Sequence, residues 1–240
     1  MAGAGAGSEC EAGVKLSVII PVYNETRTIR ELLERVKAVE IEKEIILVDD
    51  FSTDGTREYL KSIQNQPGLK VVFHPRNMGK GRAIRTAIPL VTGDVVVIQD
   101  ADLEYDPRDY TKLVAPILEG RVSVVYGSRY SNPENDLPLT RFKIAVLLLT
   151  VMANVLYGAR ITDEATCYKA FKSDVLKGIP LKCQRFEFCP EVTAKVRKRG
   201  YRIEEVPISF KYRTAKEGKK IGWRDGLEAV LTLIKYRFTD

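Results

Sequence analysis

Three carboxylates stand at alternate positions in the stretch DVVVIQDADLEYDP: Asp100, Asp102 and Glu104. An apolar run, Val95 to Ile98, climbs into them, and Asp106-Pro107 supplies a helix-start signal directly afterwards. On an extended backbone alternate side chains point to one side, so this spacing gathers three acids at the end of a buried strand. Acids so gathered repel one another unless a cation sits among them. The expectation is a divalent metal held by Asp100, Asp102 and Glu104. The sequence contains one histidine, His74, which all but excludes a multi-histidine metal site or a histidine-dependent triad. A metal held by oxygen is Mg²⁺ or Mn²⁺ rather than zinc.

These acids need a frame, and the first half of the chain supplies an alternation of strands and helices. The strand candidates are KLSVIIPVY, KEIILVDD, GLKVVFHP, GDVVVIQD and VSVVYGSRY. Between them lie segments of helical period; in ETRTIRELLERVKAV the apolar positions are Ile29, Leu32, Leu33 and Val36. Continuous apolar strands joined by helices imply a mostly parallel sheet covered on both faces, an α/β fold. Ligands of such sheets sit at the carboxyl ends of strands, and Tyr23-Asn24-Glu25, Asp49-Asp50 and the Asp100–Glu104 acids all fall there.

The second half reads differently. After the polar loop SNPENDLP comes LTRFKIAVLLLTVMANVLYGA, too short and too interrupted by Thr150 and Asn154 for a bilayer span of roughly 20 residues. It is either a buried core helix or an interfacial one. RFEFCPEVTAKVRKRG reads as a helix ending at Gly200 and YRIEEVPISFKYR as a strand. TAKEGKKIGW reads as a basic loop and RDGLEAVLTLIKYRF as a terminal amphipathic helix. The glycine-containing NMGKGRA lacks the spacing of a phosphate-binding P-loop and is read as a tight turn, with Arg82 or Arg85 near a nucleotide.

At 240 residues, 45% hydrophobic and 29% charged, the chain is an ordinary globular protein of one large domain or two small ones. A formal charge of +6 suits anionic substrates, nucleic acid or an anionic membrane surface. The basic residues are dispersed with no aromatic-basic stripe, so no nucleic-acid partner is expected. Four cysteines without paired spacing, and no secretory signal, read as reduced thiols in the cytosol. Residues 1–14 are expected to be a disordered tail.

PVYNE, VDDFSTDGT, NMGKGRAIRTA, DADLEYDP and GSRY, in this order and spacing, resemble a family 2 glycosyltransferase of the GT-A fold. VPISFKYRTAKEGKKIG is similar to the corresponding segment of dolichol- and polyprenyl-phosphate hexosyltransferases. The resemblance runs from about Lys15 to the C-terminus. It implies one GT-A domain, 15–240, with a nucleotide-sugar half (15–130) and an acceptor half (131–240) whose C-terminal helices lie on the acceptor side.

Carried over by residue, the resemblance implies that Pro21, Tyr23 and Glu25 line the nucleotide pocket, with Val48 and Asp50 at the base and ribose. Asp100, Ala101 and Asp102 would sit at the diphosphate, the acids on Mg²⁺ or Mn²⁺. Glu104 falls where relatives often have Gln or another polar residue. Arg129 and Arg213 would meet phosphate oxygens in the reacting centre, with Lys219 beside the donor and Arg129 and Arg141 at the acceptor phosphate. The implied reaction is inverting transfer of a hexose, mannose first and glucose second, from a GDP- or UDP-sugar to a polyprenyl or dolichyl phosphate. The enzyme would be peripheral on the cytoplasmic face of a membrane. The segment DEATCYKAF departs from the mannose-synthase pattern and leaves the sugar open.

A lipid phosphate is anionic near neutral pH and needs no protein base, whereas a hydroxyl acceptor usually needs a carboxylate. Glu187 and Glu191 are the candidates for that alternative, a saccharide-directed glycosyltransferase. A catalytically inactive nucleotide-binding regulator is the reading from outside enzymes, and the intact Asp100 and Asp102 speak against it.

Overall fold

A computed structural model describes residues 13–138, 140–212 and 222–239. The expected N-terminal tail falls almost wholly outside these residues. Among the described residues seven strands form one sheet: β1 (Leu16–Val22), β2 (Lys43–Asp49), β3 (Leu69–Phe73), β4 (Val95–Ile98), β5 (Val124–Ser128), β6 (Lys169–Lys172) and β7 (Ile203–Pro207). The helices are α1 (Ile29–Ala38), α2 (Thr56–Ile63), α3 (Lys80–Ala87), α4 (Tyr110–Leu118), α5 (Arg141–Tyr157), α6 (Ser173–Gly178), α7 (Phe188–Lys198) and α8 (Trp223–Phe238).

The strand order is β3-β2-β1-β4-β6-β5-β7. β1 to β4 pair in parallel, with Ile19 opposite Ile46 and Val18 opposite Val97. β6 runs antiparallel to both β4 and β5, with Phe171 opposite Val96 and opposite Val124, and β7 runs parallel to β5. Six strands therefore point one way and β6 alone runs against them. The expected parallel strands are all present, but β5 does not neighbour β4. The inserted β6 has no strand-like signature in the sequence: only four residues long, it begins and ends with lysine, and Lys169 is fully buried.

The helical period of α1 holds, since Ile29, Leu32, Leu33 and Val36 are all buried against the sheet. α5 packs on α7 and α8, and the Tyr157 hydroxyl donates to the Leu233 carbonyl at 2.5 Å, tying α5 to α8. Among the described residues no helix is long and apolar enough to cross a membrane.

α5 is buried along one face and exposed along the other. One side, with Val146, Leu149 and Ala153, is buried. The other, with Ile144, Leu148, Val151 and Val155 at i, i+4, i+7 and i+11, is exposed, Val155 by 77%. α8 repeats the pattern: Ala229, Leu233 and Tyr236 face inward, while Trp223, Leu227, Leu231, Ile234 and Phe238 face out.

Candidate functional site

The carboxyl ends of β1 and β4, the start of α3 and the inner faces of α5 and α8 enclose a cleft of about 850 Å³. Pro21, Tyr23, Glu25, Asp50, Asp100, Ala101, Asp102, Glu104 and Arg129 all line it, so most of the sequence candidates converge. Val48 does not line it; it is fully buried inside β2. Arg213 and Lys219 lie outside the described residues. Arg141 takes the first position of α5, next to Phe142 in the cleft wall.

The three-acid cage expected from alternate spacing does not form. Among the described residues no group of three His, Cys, Asp or Glu side chains is placed to hold a metal ion. The reason is local: β4 ends at Ile98 and the chain turns through residues 101–104, so the two-residue alternation is lost where the acids begin. Asp102 Oδ1 instead accepts the Glu104 N–H at 3.1 Å, which makes the turn. Gln99, just before the acids, is buried, its Oε1 accepting from the Tyr110 and Tyr168 hydroxyls at 2.7 and 2.6 Å.

Asp100 and Asp102 remain as two hard oxygen donors on one cleft. The nearby Cys167 thiol is pushed well above its usual range, first by burial and then by Asp100, so it stays protonated and is a poor ligand. The donor chemistry therefore fits Mg²⁺ or Mn²⁺, ions that accept one or two carboxylates and complete their shell with phosphate and water.

Lys80, the lysine of NMGKGRA, places Nζ 2.5 Å from Asp100 Oδ1 and 3.6 Å from Cys167 Sγ. Burial works against its charge, but Asp100 and the flanking cysteines outweigh burial and hold the ammonium well above its ordinary range. Sequence reasoning looked to Arg82 and Arg85 in this motif. The Arg85 guanidinium instead donates to the Lys182 and Cys183 carbonyls, both at 3.2 Å.

The motif is also a turn, as expected. Gly79 has φ +91°, and a Cβ there would strike the Gln184 carbonyl oxygen, so glycine is required by both backbone and space. The Gly81 and Arg82 N–H groups donate to the Arg185 and Gln184 carbonyls at 2.9 Å, which engages the start of α3 with protein. Asp50 holds the approach to this turn: its carboxylate accepts the Met78 and Gly79 N–H groups at 2.7 Å and meets His74 Nδ1 at 2.8 Å. His74 thus braces Asp50.

Arg129 is gripped by Asp163, with Nε to Oδ2 at 2.6 Å and Nη2 to Oδ1 at 2.7 Å. Burial opposes the guanidinium's charge and Asp163 more than restores it, raising an already high pKa. Such a bidentate pair fixes the plane of the guanidinium at the cleft wall.

Neither Glu187 nor Glu191 is a free base. Glu187 accepts the Gln184 and Arg185 N–H groups at 2.6 and 2.8 Å. Glu191 is fully buried and accepts from the Lys182 and Cys183 N–H groups and the Lys195 ammonium, at 2.7, 2.6 and 2.6 Å.

Glu164 was not singled out by sequence reasoning, yet it lines the cleft and is fully buried. Burial pushes its carboxyl up to about 7, against the pull of Lys169 and Thr193. Its signal was present in the DEATCYKAF departure, but an acid beside another acid in a turn looks like surface.

Residues 17–179 match the glycosyl transferase family 2 domain. The chain is 31% identical over 215 residues to a Methanococcus voltae protein named UDP-N-acetylglucosamine–dolichyl-phosphate N-acetylglucosaminyltransferase, covering 81% of this chain and 85% of that one. It is also 31% identical over 214 residues to the dolichol-phosphate mannosyltransferase of Pyrococcus furiosus, covering 87% of this chain and 60% of that one. Among solved structures, glucosyl-3-phosphoglycerate synthase from Mycobacterium tuberculosis, in complex with Mn²⁺, uridine diphosphate and phosphoglyceric acid, superposes with a TM-score of 0.73 at 19% identity. That match covers 95% of this chain and 80% of the synthase. The fold is that of GT-A enzymes, and the chain belongs to glycosyltransferase family 2.

Proposed function

We propose that this glycosyltransferase moves a hexose, with inversion and with Mg²⁺ or Mn²⁺, from a nucleoside-diphosphate sugar to a polyprenyl or dolichyl phosphate. The observation that carries the reading is the cleft's mixed lining. Asp100, Asp102, Lys80 and Arg129 share it with Phe142, Val146, Leu149, Leu227 and Val230 from α5 and α8. That apolar wall continues onto the exposed faces of the same two helices. A charged head and a long hydrocarbon tail match that pairing of surfaces.

A divalent ion on Asp100 and Asp102 would offset the charge that grows on the leaving diphosphate. The chain's own residues do the rest. Asp50 holds the Met78–Gly79 turn against the donor side, Lys80 brings a mobile cation to Asp100, and Arg129 presents a fixed one. Glu187 and Glu191, the carboxylates considered as bases for a hydroxyl acceptor, are engaged in backbone contacts, and an acceptor already anionic needs no base. The apolar faces of α5 and α8, with Lys143, Lys235 and Arg237 beside them, would rest in the headgroup layer of a membrane.

The relatives named for N-acetylglucosamine and for mannose set the assay. Purified protein with Mn²⁺ is given labelled UDP-N-acetylglucosamine, UDP-glucose or GDP-mannose, with polyprenyl phosphate or an oligosaccharide as acceptor. Label should pass to the lipid, and Asp102→Asn should lower that transfer at least tenfold, about 1.4 kcal/mol of transition-state stabilisation. Label on the oligosaccharide alone overturns the acceptor assignment. Full activity of Asp102→Asn with chelator overturns the metal.

A further inference from the structure

Glu164 sits in the turn that leads into β6, directly after the Asp163 that grips Arg129. Three contacts fix its position. Its N–H donates to Thr150 Oγ1 on α5 at 3.1 Å, its carbonyl accepts the Lys169 ammonium at 2.9 Å, and Oε2 accepts the Thr193 hydroxyl on α7 at 2.9 Å. The second carboxylate oxygen, Oε1, is buried and has no hydrogen-bond partner. Lys169 is turned to the Glu164 carbonyl and lies 3.5 Å from the centre of the Tyr126 ring. Arg129 is taken by Asp163.

A buried carboxylate oxygen without a donor is costly, and native structures retain one where something else supplies the donor. The candidates for that donor differ in charge. A phosphate oxygen would be repelled by Glu164 and belongs with Lys80 and Arg129. A sugar hydroxyl can donate, carries no charge and has a fixed direction. Glu164 lines the same cleft as Asp100 and Asp102, so a donor whose diphosphate lies on those acids can turn its sugar toward Glu164.

We infer that Glu164 is a sugar-recognition residue, its Oε1 accepting a hydrogen bond from a hydroxyl of the transferred hexose. The inference rests on the nucleoside-diphosphate-sugar reading above. It assigns to the unmatched DEATCYKAF segment a part in choosing the sugar.

Calorimetry with Mn²⁺ on the wild type, Glu164→Gln and Glu164→Ala separates the possibilities, with UDP, GDP, UDP-N-acetylglucosamine, UDP-glucose and GDP-mannose as probes. Glutamine keeps the shape and the Thr193 contact, and binding of the free nucleoside diphosphate reports that each variant is folded. The expected result is nucleoside diphosphate affinity within twofold of wild type, and a loss of at least tenfold for the preferred nucleotide-sugar, larger in Glu164→Ala. Equal loss for diphosphate and nucleotide-sugar, or no loss for either, overturns the inference and leaves Glu164 a structural acid. Unchanged donor binding with lost transfer to a hydroxyl acceptor overturns it in favour of a general base. A wild type that binds diphosphates but no nucleotide-sugar overturns the functional reading first, and this inference with it.

Discussion

Replacing Glu164 by glutamine removes a charge from the protein interior without changing its shape, so its effect on stability should depend on pH in a definite direction. The folded-state carboxyl is pushed up to about 7 from an ordinary value of 4.5, first by burial, with Asp163 and Glu205 adding to it. A raised carboxyl pKa means that the folded state holds its proton more tightly than the unfolded chain. The stability this lends is fully present below pH 4.5 and is lost as pH rises through about 7. The shift, at about 1.4 kcal/mol per pH unit, amounts to roughly 3 kcal/mol. Denaturant unfolding of wild type and Glu164→Gln at pH 4.5 and pH 8.5 reads it directly. The free-energy difference between the two proteins should move by about 3 kcal/mol in favour of glutamine over that interval. A difference that is flat with pH would refute the claim that this carboxyl is desolvated and short of donors.

Two more outcomes follow from the same geometry. Asp163→Ala leaves the buried Arg129 guanidinium without its bidentate partner and should cost about 3–5 kcal/mol in denaturant unfolding, so an unmoved midpoint would show that the pair is not closed in solution. In flotation assays the wild type should rise with anionic vesicles at low salt and be released at high salt, and Leu148→Glu combined with Leu231→Glu should abolish binding; vesicle binding unaffected by the double variant would remove the α5–α8 face from the membrane.

The parts of the fold legible in the sequence are those whose periodicity is strong. β4 is an unbroken β-branched run, β1 and β2 are built around Val18-Ile19-Ile20 and Ile45-Ile46, and α1 and α8 repeat at helical spacing. β6 was hidden because Lys169 and Lys172 bracket only Ala170 and Phe171, and nothing local says that a lysine will lie against the Tyr126 ring. The same contrast holds at the site. Asp50, Asp100 and Asp102 could be named because they end apolar strands, where side chains must point into a crevice. Lys80 and Glu164 could not, because their roles come from tertiary approach: α3 brings Lys80 to β4, and α5 and α7 close over the turn at Glu164. The three-acid cage failed for a related reason. Alternation is a property of strands, and this strand stops at Ile98.

The charges around the cleft also constrain how Glu164 is to be understood. Lys80 stands against Asp100 and Arg129 against Asp163, so each strong cation is matched locally. Glu164 belongs to neither match, and its nearest ammonium, on Lys169, reaches the Glu164 carbonyl and not the carboxylate. A carboxyl in that position lowers stability at alkaline pH and would be removed by any pressure for stability alone. Two measurements on Glu164→Gln must therefore move in opposite directions: higher stability at pH 8.5 and weaker binding of the nucleotide-sugar. Stability that rises with sugar affinity unchanged would mean the carboxyl is tolerated without use at this site. Sugar affinity that falls with no gain in stability would mean that Oε1 already has a donor, such as an ordered water, in the free protein. Only the opposed pair of changes is consistent with an acceptor kept vacant at a cost to the fold and filled by substrate.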